Sequence, residues 1–179
     1  MVDWNWIYKL LNDITPLPVD CGRLCGSACC KEWERGVGMY LLPGEEIMFD
    51  RDEQWLIWEE RSTGDDNYYP GRQGTLNFVR CHGTCPRNKR PFACRTFPVS
   101  PYLTPRGELQ LRFEESAVLI CPLVKAGDIQ LLDRRFMARV RLAWEELLQN
   151  PLIREDVERK SRRLDRIGAE PWQKLLARD

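Results

Sequence analysis

A chain of 179 residues is near the upper end of one ordinary domain, and is long enough to bury a hydrophobic core without disulfides. Hydrophobic residues make up 43% and charged residues 30%, with 12 Gly and 12 Pro, which excludes a fibrous or wholly disordered chain. Lys plus Arg and Asp plus Glu both total 27, so no global field draws the chain onto nucleic acid or an anionic membrane.

From the N-terminus, Trp4, Ile7, Leu10 and Leu11 share one helical face behind Asp3, which is placed to accept from the first free N–H groups. This predicts a short helix over Trp4–Leu11. Pro16 and Pro18 close it and lead into VDCGRLCGSACC, where Gly22 and Gly26 favour a loop or a broken helical turn able to fold around a ligand. Gly38 to Phe49 reads as a short strand, a Pro-Gly turn and a helical turn, and Gln54–Trp58 as a strand of bulky residues. RSTGDDNYYPGRQG reads as a loop, and Leu76–Arg80, Leu109–Phe113 and Ala117–Ile120 as further strands of small sheets.

Beyond Asp128 the pattern changes. Ile129, Leu132, Phe136, Val140, Ala143 and Leu147 recur at three- and four-residue steps and predict an amphipathic helix. Asn150-Pro151 ends it, and a highly charged helix follows over Leu152–Ile167, then Gly168 and a last short helix around Trp172–Leu176. The run Arg154–Arg166 mixes signs, as a solvated helix laced by i,i+4 pairs does. The longest apolar run, Ala117 to Val124, is eight residues and contains a Pro, against the roughly 20 that cross a bilayer. The stretch MVDWNWIYKLLND has no basic region or small-residue cleavage site of a secretory signal, so the expectation is a cytoplasmic protein.

The chemistry lies in eight clustered cysteines: Cys21, Cys25, Cys29 and Cys30, then Cys81, Cys85 and Cys94, then Cys121. In a reducing compartment such clustering points to metal ligation or redox chemistry ahead of disulfides or inert buried thiols. Eight thiolates suffice for two four-ligand sites. Adjacent side chains diverge on extended backbone, so Cys29 and Cys30 are expected in two neighbouring sites, or in one site with a spare thiol. Four thiolates around a +2 centre leave about −2 of charge. Arg80, Arg87, Lys89, Arg90 and Arg95 crowd the segment between Arg80 and Arg95 with no acid among them, and can offset that charge and lower thiol pKa. Arg90 and Arg95 are the candidate cofactor contacts; the same basic loop could instead meet RNA or an anionic substrate.

Other constellations carry less. His82, beside Cys81, is either a metal ligand or a partly exposed loop residue. Glu45, Glu46, Asp50, Asp52 and Glu53 read as a solvated helix terminus rather than paired catalytic carboxylates. Trp4, Trp6, Trp33, Trp55, Trp58, Trp144 and Trp172 read mostly as core. A Cys-x-x-x-Cys-x-x-Cys radical-enzyme motif begins at Cys21 and Cys25 but meets Ala28 where its third cysteine belongs. No Cys-x-x-Cys zinc knuckle is present, whereas Cys85-Pro86 and Cys121-Pro122 match the Cys-Pro pairs of iron–sulfur sites.

The pattern Cys21, Cys25-Gly26, Cys29-Cys30, then Cys81, Cys85, Arg90-Pro91, Cys94-Arg95, Phe97-Pro98 and Cys121-Pro122 resembles the YkgJ family of cysteine-cluster proteins, described as a zinc- or iron-chelating domain. The likeness covers about Cys21 to Cys121, and the first cysteines here are spaced by three residues rather than two. It implies a small α+β fold and metal binding. A flagellin lysine N-methylase has a similar cysteine pattern, which implies an iron–sulfur option, but no methylase residue carries over.

The expectation is thus one α+β domain over 1–179, with a small sheet and cysteine-rich metal-binding loops at 21–121 and C-terminal α-helices at 127–179. All eight cysteines are candidate ligands for Zn²⁺ or a 4Fe–4S cluster, with the balance toward iron–sulfur. A redox or metal-transfer protein is the expected partner, and neither membrane nor nucleic acid is expected. The alternative is an iron–sulfur-dependent enzyme, oxidoreductase- or methylase-like, with the centre beside a substrate pocket.

Overall fold

Asp3 caps the first helix as the sequence dictates: its carboxylate accepts from Trp6 N at 2.9 Å and starts α1, Trp4–Leu10. The fold that follows is given by a computed structural model describing residues 2–30, 38–62, 74–82 and 85–167. After α1, the chain makes two short helical turns, α2 at Gly22–Cys25 and a 3-10 turn at Ala28–Cys30. Gly26 separates them in the left-handed region, φ 58°, which glycine enters without steric cost. Of the loop or broken helical turn expected here, the second forms.

Strands β1 (Met39–Tyr40), β2 (Leu56–Ser62) and β3 (Thr75–Cys81) make an antiparallel sheet in the order β1-β3-β2. A Cβ on Gly38 would meet Val79 O at 2.4 Å, so the chain can enter β1 this close to β3 only as glycine. Next come α3 (Phe92–Thr96) and a hairpin of β4 (Val99–Leu103) with β5 (Leu109–Phe113). A short α4 (Pro122–Lys125) precedes the two long helices, α5 (Arg134–Leu147) and α6 (Pro151–Ile167). Helices and small antiparallel sheets together make this an α+β fold. No helix of the described residues is long and apolar enough to cross a membrane.

Several expectations change. Ala117–Ile120 is not a strand but part of a 3-10 turn, Glu115–Leu119. Its buried positions Ala117, Cys121 and Val124 fall at helical steps, and Leu119 is 79% exposed, so the alternation a strand requires is missing. Strand β4 was not expected; Pro101 disfavours a strand, but in a two-stranded sheet every strand is an edge, where proline is tolerated. The helix expected after Asp128 starts later, at Arg134, where Asp133 accepts from Phe136 N at 2.9 Å; Ile129–Leu131 forms a separate 3-10 turn. Helix α6 carries the expected ion pairs on its outer face but is not solvated all round: Ile153, Asp156, Val157 and Ser161 are buried, and Ser161 Oγ accepts from Leu103 N at 2.9 Å. Most of the loop between β2 and β3, Gly168 and the helix expected around Trp172–Leu176 lie outside the described residues.

The core gathers around Phe92, whose ring meets Trp4 and Trp144 edge-on at 6.0 and 5.0 Å. Beside it lies Glu45, 1% exposed, whose carboxylate accepts from Tyr8 Oη at 2.7 Å, Phe92 N at 2.6 Å and Leu42 N at 2.9 Å. The solvated helix end expected for this acid is therefore a buried knot joining α1, the Pro43-Gly44 turn and α3. Burial pushes the Glu45 carboxyl above its ordinary range, against the pull of those three donors. Glu45→Ala leaves two backbone N–H groups and a phenol buried without an acceptor, and should lower stability by about 3 kcal/mol in urea denaturation; a loss under about 1 kcal/mol would contradict this role.

Candidate metal centre

All eight cysteines, brought from opposite ends of a span of about a hundred residues, line one cleft of about 1240 Å³. Cys21, Cys25, Cys29 and Cys30 enter from α2 and the 3-10 turn after it. Cys81 ends β3, Cys85 precedes the turn at Arg87–Lys89, Cys94 lies on α3, and Cys121 sits between the 3-10 turn at Glu115–Leu119 and α4. All eight are free thiols; Cys29 is exposed, Cys121 buried and the rest half-buried.

The thiols meet mostly in pairs. Cys29 and Cys30 stand with sulfurs 3.9 Å apart, and Cys81 neighbours Cys85 closely enough for each to shift the other's acidity. The divergence expected of Cys29 and Cys30 does not occur, because their backbone is a 3-10 turn rather than extended. Cys94 Sγ donates to Met39 Sδ at 3.2 Å. Electrostatically, Cys30, Cys81, Cys85 and Cys94 act on one another, while Cys21 acts with Cys25 and Cys121. Cys29 joins the sets, touching Cys30 and facing Cys21 and Cys94. Among the described residues, no three His, Cys, Asp or Glu side chains stand together tightly enough to hold an ion as arranged.

The five cations of the basic segment divide their labour. Arg80 pairs with Glu59 at 2.6 Å, and Lys89 with Glu53 at 2.5 Å. Arg87 reaches Asp20, beside Cys21, at 3.4 Å. That exposed pair spans the two cysteine loops, a link sequence reasoning had not supplied, though a pair so solvated adds little stability. Arg95 is 7% exposed; its Nε and Nη2 donate to the carbonyls of Arg90 and Asn88 at 2.7 and 2.5 Å, and its guanidinium stacks 4.2 Å from the Tyr8 ring. It braces the loop that carries Arg90. Arg90 is the cation at the thiols, its charge acting on Cys30 and Cys85, with its own Nε buried and unpartnered.

This arrangement splits thiol acidity. A hydrogen bond from Cys29, then the charge of Arg90, bring Cys30 down to about 6 against its burial. A hydrogen bond from Cys81 and the same arginine bring Cys85 to about 6. Burial pushes Cys94 up to about 12. His82 is exposed, its backbone N donating to Trp55 O at 2.8 Å.

Of the tryptophans, Trp4 and Trp144 are core and Trp6 is 42% exposed; Trp33 and Trp172 lie outside the described residues. Sequence reasoning missed Glu45, Tyr8 and Met39, which hold the cleft from beneath. Of these only Glu45 gave a signal, an acid flanked by Leu41, Leu42, Ile47 and Met48.

No family model matches the chain, and neither a curated protein nor a solved structure matches it. The likeness to cysteine-cluster proteins is carried by its motif residues alone.

In reduced, metal-free protein, iodoacetamide should modify Cys30 and Cys85 first, with rates half-maximal near pH 6, because the thiolate is the nucleophile and exists above that value. Cys94 should stay unmodified at neutral pH. Arg90→Gln should move both midpoints upward; peptide mass spectrometry showing one common midpoint for all the cysteines would contradict the split.

Proposed function

We propose that this chain is a cysteine-cluster metal-binding protein, holding zinc or an iron–sulfur cluster through its thiolates. The observation that carries the reading is the convergence of all eight cysteines, as free thiols, on one cleft. Packing so many thiols together has no value for a hydrophobic core, since only Cys121 is buried. The donor set fits a thiophilic centre in kind and number.

The neighbour relations favour two adjoining centres, one drawing on Cys30, Cys81, Cys85 and Cys94 and the other on Cys21, Cys25, Cys29 and Cys121. Cys29 and Cys30, in contact at 3.9 Å, would mark the boundary. Arg90 and Arg87 then offset thiolate charge from one side, and Arg95 holds Arg90's loop in place. When bound, zinc supplies a structural or Lewis-acid centre and a cluster supplies an electron carrier. The Cys-Pro pairs at Cys85 and Cys121 favour the cluster, and a redox or metal-transfer protein would then be the partner. Because thiols from both loops contribute, binding free energy becomes folding free energy.

A second reading, an iron–sulfur-dependent enzyme, is favoured by one feature: the cleft does not end at the thiols but runs on along α6.

Cys94→Ser and Cys121→Ser test the division. Each should lose roughly half of the bound metal and lower the thermal midpoint, with the double variant losing nearly all. Full metal content in either single variant, measured by elemental analysis, would remove that cysteine from the ligand set.

A further inference from the structure

Away from the cysteines the cleft continues to α6, where Asp156, Val157, Arg159, Lys160 and Arg163 line it, and Trp144 of α5 lines the same cleft. Asp156 is 2% exposed and organises this wall: its Oδ1 accepts from Arg159 Nη2 at 2.5 Å and its Oδ2 from Lys160 Nζ at 2.8 Å. One buried carboxylate thereby fixes two cationic heads at the surface of the cleft. Arg163 reaches across to Glu115 at 2.8 Å, on the turn that leads into Cys121. The cations acting on the thiols are Arg87 and Arg90; on α6 three cations, Arg159, Lys160 and Arg163, stand against two carboxylates, Asp156 and Glu115.

Trp144 is an independent observation pointing the same way. It is 7% exposed and lines the cleft, and its indole Nε1 is buried without a hydrogen-bond partner. Buried donors are almost always paired, so an unpartnered indole on a cleft-lining residue is a donor that a ligand can satisfy. Leu123, Val157 and Leu164 add apolar surface to the cleft. An unpaired N–H, fixed cations and apolar wall together suit a ligand with acceptor oxygens and an apolar body. Space permits it: about 1240 Å³ exceeds the roughly 300–1000 Å³ of ordinary small-molecule sites, leaving volume beside the thiols.

We propose that the α6 end of the cleft binds a small organic anion, a phosphate or carboxylate on an apolar body, next to the thiol centre. This extends the metal-centre reading by naming the ligand class the same cleft takes, and rests on that reading only for the chemistry the anion meets there. Arg163 and Lys160 hold the anionic group, Trp144 donates its indole N–H to an oxygen, and the apolar wall covers the body.

Isothermal titration calorimetry on the full chain as purified tests this, with 1-naphthyl phosphate, 1-naphthoate and uncharged 1-naphthol as probes. At least one anion should bind, losing affinity with added salt, and the naphthol should bind far more weakly; which anion binds tighter separates phosphate from carboxylate. Arg163→Gln, on the exposed edge of α6, should weaken the anion about tenfold. Trp144→Phe, which keeps an aromatic ring against Phe92, should weaken it about fivefold. Equal binding of naphthol, no heat from either anion, or unchanged affinity in both variants would overturn the proposal. Elemental analysis of the same samples keeps the two readings apart: metal-loaded protein that ignores both anions fails this proposal alone, and metal-free protein that binds them fails only the metal centre.

Discussion

A single buried carboxylate holds the floor of the cleft. Glu45 accepts from Tyr8 on α1, from Leu42 before the Pro43-Gly44 turn and from Phe92 at the start of α3. An ionised group taken out of water is tolerated only when its lone pairs are met, and here three donors from distant segments meet them. Because α3 also carries Cys94 and Arg95, fixing its first turn fixes the Cys94 thiol and the arginine that braces the basic loop. Arg95 completes the frame by donating to the carbonyls of Arg90 and Asn88 while stacking on Tyr8. The polar network beneath the cleft therefore sets the positions of groups whose own contacts with one another are few.

Above that floor, the thiols are held near each other by backbone turns and by long-range placement, not by cross-links. Every cysteine is free. The arrangement is uneven: Arg90 favours thiolate at Cys30 and Cys85, while burial opposes it at Cys94. A site built this way is prepared to lose protons at one edge first, which suits ligands that bind only as thiolates. The α6 side is built by the same device in reverse, a buried acid, Asp156, holding Arg159 and Lys160.

Much of the fold was legible because local chemistry and tertiary structure agree. Asp3, the Pro43-Gly44 turn and the heptad-like run from Phe136 to Leu147 each act as their residue types require. The failures have physical causes. Ala117–Ile120 is apolar enough for a strand, but Ala117, Cys121 and Val124 bury at helical steps. Strand β4 hid behind Pro101; the burial of Glu45 depends on Phe92, 47 residues away, and that of Asp156 on the seating of α6, to which the Leu103–Ser161 contact contributes. The eight cysteines were visible as a set, but the sharing of the basic segment was not. Which cation faces a thiol was decided by acids elsewhere, Glu59 for Arg80 and Glu53 for Lys89.

The central claim is that the convergent thiols exist to hold a metal, and its most direct test is the metal and sulfide content of anaerobically purified protein, with a visible spectrum of the same sample. The account predicts either zinc at a fixed ratio to the chain in colourless protein, or iron with matching sulfide and broad thiolate-to-iron absorption. Folded, stable protein with eight titratable thiols and no bound metal would contradict it.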